Sequence, residues 1–265
     1  MTRAPASGDA ILGVRLAWPA PLVPARVLAR VNRFAVRVAL DGAPDPVLVH
    51  LPNSGRMTEL LVPGAAARVQ LPGAAPAMRV RRAAPADEVR GTPPPATRGR
   101  LLLVRHGRRW VGVDAHVPNR VVEAALGRGG LGPITGVRSW RREVALGGER
   151  IDFVVGTRRR RWWLEAKSCN RVVAGEARFP DAPTLRGARH LELLARVAAA
   201  GRRAAVVWIV QRADARCLRP DATVDPAFAA AARRAARAGV RLLAYVCEVS
   251  TRGLAVVRRV PVVVG

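Results

Sequence analysis

Asp152 and the triplet Glu165-Ala166-Lys167 sit on two strand-like runs, Arg150–Val155 and Arg161–Lys167, that flank the turn-prone stretch Gly156–Arg160. If the loop is Thr157–Arg160, Val155 opposes Trp162 and Asp152 opposes Glu165. Opposed residues hold their Cβ atoms about 4.5–5.5 Å apart on one face of a sheet. Lys167, two positions past Glu165, points to the same face. Two carboxylates at that separation repel unless a cation lies between them. Lys167 supplies part of that charge, and a hard divalent ion, Mg²⁺ or Mn²⁺, suits the rest. The chemistry expected of such a group is phosphodiester hydrolysis. Asp152 and Glu165 hold the metal, which polarises the phosphate and acidifies a water, while Lys167 orients that water or neutralises developing charge. A third acid from the preceding helix completes the metal site in this reading, with Glu123 the first choice and Glu143 the second. The competing reading is an ion-pair cluster at a strand edge, with no chemistry.

Lys167 stands out for another reason: it is the only lysine among 45 basic residues. A compact ammonium fits beside two carboxylates where the planar fork of arginine does not. Asp followed by Glu-x-Lys on the neighbouring strand resembles the core of the PD-(D/E)xK nuclease pattern.

The surrounding elements form two blocks. Between Val31 and Leu40, Phe34, Val36, Val38 and Leu40 alternate with Arg33, Ala35, Arg37 and Ala39, the period of a half-buried strand. Short strands are expected again at Val47–Leu51, Arg68–Leu71 and Met78–Arg82, which suggests a small basic barrel over residues 1–85. Residues 86–114 read as a Pro-rich linker followed by a hairpin, Leu101–Arg105 with Trp110–Asp114. From 115 to 265 helices and strands alternate. A short helix at Pro118–Leu126 precedes three strands, the last two bearing the carboxylates. A helix at Pro183–Ala200, a buried strand at Ala205–Gln211, a helix at Pro226–Ala238 and two final strands follow. The fold class is α/β with an N-terminal all-β part.

The chain has 265 residues and a formal net charge of +26, and half of it is hydrophobic. It is long and apolar enough to fill real cores, which excludes disorder as its main state. No apolar run approaches a membrane span, no signal peptide is evident, and three unclustered cysteines fit a reducing cytoplasm. A surface this basic attracts polyanions, and nucleic acid is the expected partner. Biased composition alone is the competing explanation of the arginines. Candidate phosphate contacts are Arg33, Arg56 in the Asn53-Ser-Gly-Arg turn, the loop-tip run Arg158, Arg159 and Arg160, and the pair Arg186 and His190 on one helix face. Asp181 is a candidate cap for that helix. Trp162 and Trp163 could stack on bases, although strand tryptophans are more often core. The Gly127–Gly132 match to G-x-G-x-x-G lacks the strand–turn–helix context that a dinucleotide site needs, and no Cys/His spacing suits zinc.

A wider resemblance runs nearly end to end. Val31-Asn-Arg-Phe34, His50-Leu-Pro-Asn-Ser-Gly-Arg-Met57, Pro118-Asn119, Arg150-Ile-Asp-Phe153, Glu165-Ala-Lys-Ser168, Phe179-Pro-Asp-Ala182, Thr184-Leu-Arg-Gly187 and His190-Leu191 resemble, in that order, the sugar fermentation stimulation protein A family. The resemblance implies an OB-like barrel followed by a PD-(D/E)xK nuclease-like mixed-sheet domain. It also implies DNA binding without sequence specificity and a regulatory role in sugar metabolism. Asp152, Glu165 and Lys167 fall on the family's nuclease-like motif. Ala166 stands where valine is expected and Asn170 where threonine is usual, and neither is a ligand. Three functions remain open: a metal-dependent nuclease, a non-catalytic DNA-binding regulator on a nuclease scaffold, and an enzyme acting on RNA.

Overall fold

The computed structural model describes residues 9–72 and 97–265. The expected strand at Met78–Arg82 and most of the Pro-rich stretch lie outside the described residues.

Among the described residues a short strand, β1 (Arg15–Ala17), comes first, and the barrel follows: β2 (Val23–Asn32), β3 (Ala35–Leu40), β4 (Val47–His50), β5 (Ala66–Gln70), β6 (Arg100–His106) and β7 (Arg109–Gly112). Strand order is β4-β3-β2-β5-β6, and β4 meets β6 in parallel through His50 and Arg100, closing five strands into an OB-like barrel. Alternation builds its core. Ala25, Val27, Val36 and Val38 point inward, whereas Arg26 and Arg37 point to solvent.

Two expectations change here. Val31–Leu40 is not one strand: β2 ends at Asn32, Arg33 and Phe34 make the turn, and Phe34 is 48% exposed instead of buried. Leu101–Arg105 is not part of a linker hairpin alone, because β6 is the strand that closes the barrel. Leu101 and Val104 of β6 face the barrel interior, while Leu102 and Leu103 join the core of the second domain.

That domain continues with α1 (Val117–Gly127), the small hairpin β8 (Gly130–Leu131) and β9 (Ile134–Thr135), then β10 (Val137–Leu146), β11 (Glu149–Thr157) and β12 (Arg161–Cys169). After β13 (Val172–Val173) and β14 (Glu176–Phe179) come α2 (Leu185–Ala199), β15 (Arg203–Val210), β16 (Cys217–Pro220), α3 (Pro226–Arg237), β17 (Arg241–Val249) and β18 (Gly253–Val260). Seven strands form a mixed sheet in the order β1-β18-β17-β15-β12-β11-β10. Its central strand β15 is parallel to β12 and β17 and buried on both faces, hence its unbroken apolar run Ala204–Val210. α1 covers one face and α2 and α3 the other.

β1 pairs with β18, so Arg15–Ala17 belong to this sheet and not to the barrel expected over residues 1–85. Ile11, Val14 and Trp18 pack into its core. The helices start at side-chain caps: Thr184 accepts from Gly187 N at 3.0 Å, and Asp225 accepts from Phe228 N at 2.8 Å. Asp181, expected to cap α2, instead accepts from Met57 N of the barrel at 3.2 Å.

Candidate active site

The site lies where the sheet forks. β11 and β12 pair from Gly156 with Arg161 down to Phe153 with Leu164. Beyond that point β12 follows β15 alone, pairing Glu165 with Val206 and Lys167 with Trp208. The N–H of Ala166 is thereby left without a strand partner and must be satisfied otherwise. Asp152 Oδ2 accepts it at 2.8 Å, and Glu165 Oε2 approaches Asp152 N at 3.4 Å. Each carboxylate takes a backbone group of the other strand, so the fork that ends the ladder also brings the two acids together.

The remaining oxygens are engaged unequally. Lys167 Nζ donates to Glu165 Oε1 at 2.5 Å, and His190 Nδ1 of α2 lies 2.5 Å from the same oxygen. Asp152 Oδ1 has only Asn119 Nδ2 of α1, at 3.5 Å. Glu165 is 3% exposed and His190 1%. Burial, the largest single effect, pushes the Glu165 carboxyl up, but Lys167 and His190 together outweigh it and hold the group at about 2. Asp152 moves the other way. Burial raises it first and the Glu165 charge raises it further, against a smaller opposing pull from Lys167. The pair therefore holds one firmly ionised acid and one that, among the described residues, has no ion-pair contact of its own.

Comparison with known proteins decides the family. Residues 28–113 match the SfsA N-terminal OB domain, and residues 116–253 match the sugar fermentation stimulation protein RE domain. The chain belongs to the sugar fermentation stimulation protein family. It is 39% identical over 246 residues to the sugar fermentation stimulation protein homolog of Acetivibrio thermocellus, covering 92% of this chain and 97% of the relative. The homolog of Chloroflexus aurantiacus is 40% identical over 255 residues, covering 96% of this chain and 91% of that one. The homolog of Symbiobacterium thermophilum is 42% identical over 244 residues, covering 90% and 93%. The solved structure of Pyrococcus furiosus SfsA in complex with Ca²⁺ superposes with a TM-score of 0.77 at 22% identity, over 96% of this chain and 98% of that one. It shares the fold.

In this family member the other expected site residues are dispersed. Glu123 is not gathered with Asp152 and Glu165: it pairs with Arg142 at 3.1 Å. Asn119, one helical turn earlier, occupies the place expected of the third acid. Glu143 is outside as well, at a positive φ in β10 and 3.7 Å from Arg150. His190 is no phosphate contact, because it is sealed against Glu165. It positions that carboxylate, with Arg186 Nε 3.3 Å and Glu149 Oε2 3.5 Å from its Nε2. Arg158, Arg159 and Arg160 lie at the hairpin tip, near the opposite end of β12 from Lys167.

The barrel approaches the other side of the site. Gln211, at the end of β15, donates through Nε2 both to the Asp114 carbonyl and to Ser168 Oγ, at 2.8 Å each, tying the barrel's exit to the residue after Lys167. Asp114 holds His116 at 2.9 Å and Arg100 at 3.1 Å. Arg33 and Arg56 are exposed. The guanidinium of Arg33 lies 5.6 Å from the centre of the Phe34 ring, which stacks on His50 at 6.5 Å. Trp162 and Trp163 are buried and offer no stacking surface. Cys169 is buried, its thiol pushed up to about 12 by burial, which makes it inert as a nucleophile. Among the described residues no helix is long and apolar enough to cross a membrane.

Asn119 and His190 carry no obligatory charge, so a pattern of charged ligands does not single them out. The signals were present: Asn119 follows the helix-opening Pro118, and a histidine on the apolar face of α2, one position before Leu191, has to be buried with a partner.

Proposed function

We propose that this chain is a divalent-metal-dependent phosphodiesterase acting on DNA without sequence specificity. The observation that carries the reading is the fork itself: two carboxylates and one lysine gathered at a strand edge, with Asp152 in no ion-pair contact of its own among the described residues. The donors are hard oxygens, and Mg²⁺ or Mn²⁺ commonly binds through one or two carboxylates, with water and phosphate oxygens completing its shell, so the residues fit such an ion. Asp152 and Glu165 would hold it, and when bound it supplies Lewis-acid activation of the phosphate and of an attacking water. Among the described residues no group of three acidic, histidine or cysteine side chains is placed to hold an ion, so water and substrate oxygens would complete the coordination. That a fold relative was solved with Ca²⁺ supports a hard divalent partner.

The chain's own residues have distinct tasks. His190 and Lys167 keep Glu165 ionised and fixed in direction. Lys167, partly exposed, offers its remaining N–H bonds to a phosphate oxygen or the incoming water. Asn119 steadies Asp152. Arg33 and Arg56 on the barrel contact phosphates, and Phe34 with His50 offers the one large exposed aromatic surface among the described residues for an unstacked base.

One observation favours a second reading, a non-catalytic DNA-binding regulator of sugar metabolism: Glu165 is already satisfied by Lys167 and His190. Incubation of supercoiled plasmid and single-stranded DNA with Mg²⁺, Mn²⁺ or EDTA, beside Lys167→Ala, separates the two. Metal-dependent cutting that disappears in the variant while DNA binding persists supports the enzyme. Binding without cutting in any metal supports the regulator.

A further inference from the structure

A shallow bowl of about 460 Å³ opens at the end of the central sheet away from the carboxylates. The hairpin tip contributes Arg158, Arg159 and Arg160, the first residue of β15 contributes Arg203, and the first residue of β17 contributes Arg241, with Trp162 in the wall. Trp162 and Lys167 are separated by about 16 Å along β12 at the rise of an extended strand, so the bowl is a separate place from the fork.

Its composition is one-sided. No carboxylate lines it. Among the described residues none of these five guanidinium groups takes part in a side-chain hydrogen bond or ion pair, whereas Arg142, Arg171 and Arg189 each hold an acid. Five like charges converging on one concavity raise its potential and repel one another until an anion enters. Guanidinium groups present forked donors that match phosphate oxygens two at a time. A nucleic-acid backbone spreads its charges singly along a line and suits an extended basic track. A bowl reached from a hairpin and two strand ends suits several phosphates on one short chain.

We propose that this bowl is a binding site for a compact polyphosphate, either inorganic or the phosphate tail of a nucleotide. It is separate from the nucleic-acid site at the fork. The arginines at the loop tip, grouped with DNA contacts when the sequence is read alone, belong to this second site.

Titration calorimetry of the full chain at 150 mM NaCl with inorganic tripolyphosphate, ATP and sulfate tests the assignment. Saturable binding of one tripolyphosphate, and no comparable binding of sulfate, is expected. Arg203→Gln/Arg241→Gln and the loop-tip pair Arg158→Gln/Arg159→Gln should each weaken it by about tenfold or more. Arg196→Gln/Arg237→Gln, exposed on α2 and α3, should leave it unchanged. The loop-tip pair guards against misfolding at the strand ends, and each variant is checked by its melting temperature. ATP binding as tightly as tripolyphosphate assigns the site to phosphates alone, and tighter ATP binding to a nucleotide. Equal weakening in all three double variants, or no saturable binding, overturns the proposal. So does a parallel loss of affinity for a DNA duplex in the pocket variants, which would make the bowl part of the DNA track.

Discussion

His190 Nδ1 lies 2.5 Å from Glu165 Oε1, and both side chains are almost wholly closed off from solvent. A buried carboxylate keeps its charge only with partners, and here α2 supplies one and β12 the other. His190→Ala removes a donor without removing the acid that needs it. The expected cost is about 1–3 kcal/mol in urea unfolding, with His190→Gln recovering part of it. In the proposed enzyme both variants lower the cleavage rate more than they weaken DNA binding.

Acid stability follows from the same pair. Glu165, held at about 2 against an ordinary 4.5, is depressed in the folded state. Its contribution is therefore complete above about pH 4.5 and is lost as pH falls through about 2, on the order of 3 kcal/mol. Asp152 is raised, so protonation favours the folded form there and partly offsets the loss. Urea midpoints measured in EDTA between pH 6 and 2.5 should fall for the wild type. They should fall less for Glu165→Gln and more for Asp152→Asn.

The barrel docks through a contact with no spare room. A Cβ on Gly55 would lie 2.3 Å from Asp181 Oδ2, and Asp181 also receives the Met57 N–H. Arg30 braces the same loop through the Gly55 carbonyl at 2.8 Å and the Arg56 carbonyl. Gly55→Ala should destabilise the protein by about 1–3 kcal/mol. Pairing it with Asp181→Ala should give a double variant less destabilised than the sum of the two singles, read by thermal denaturation.

Nucleic-acid affinity should depend steeply on salt. Arg33→Gln and Arg56→Gln should each reduce the slope of log affinity against log salt by about one unit in fluorescence anisotropy. Phe34→Ala acts differently: its ring is half in solvent, so the melting temperature should hold. Single-strand affinity should drop by about 1–3 kcal/mol, with little change for duplex.

Much of the second domain is legible in the chain because its signals are local. The loop length between β11 and β12 sets the pairing of Val155 with Trp162. Asp225 followed by Pro226 marks the start of α3. What escaped was decided at a distance. β2 carries alanine and arginine where a strand pattern wants branched residues, and only Ala25 and Val27 are buried along it. β1 is three residues long and has no periodicity, so its pairing with β18 leaves no local trace. At the site, Glu123 and Asn119 are both polar residues of one short helix, and a single turn separates the one that meets Asp152 from the one that meets Arg142. His190 lies on the apolar face of α2, but which acid it meets follows only from the strand packed against that helix.

The pairing of β1 with β18 bears on the order of events as the chain is made. The barrel emerges early and has its own closed core, so it can fold while the rest is still being synthesised. The large sheet cannot: its edge strand β1 leaves the ribosome before the barrel and waits for β18, which follows every other strand of that sheet. Until then the core that Ile11, Val14 and Trp18 share with Leu254 and Val256 of β18 is incomplete. Truncation of only the last strand should therefore expose apolar surface at the opposite end of the sequence.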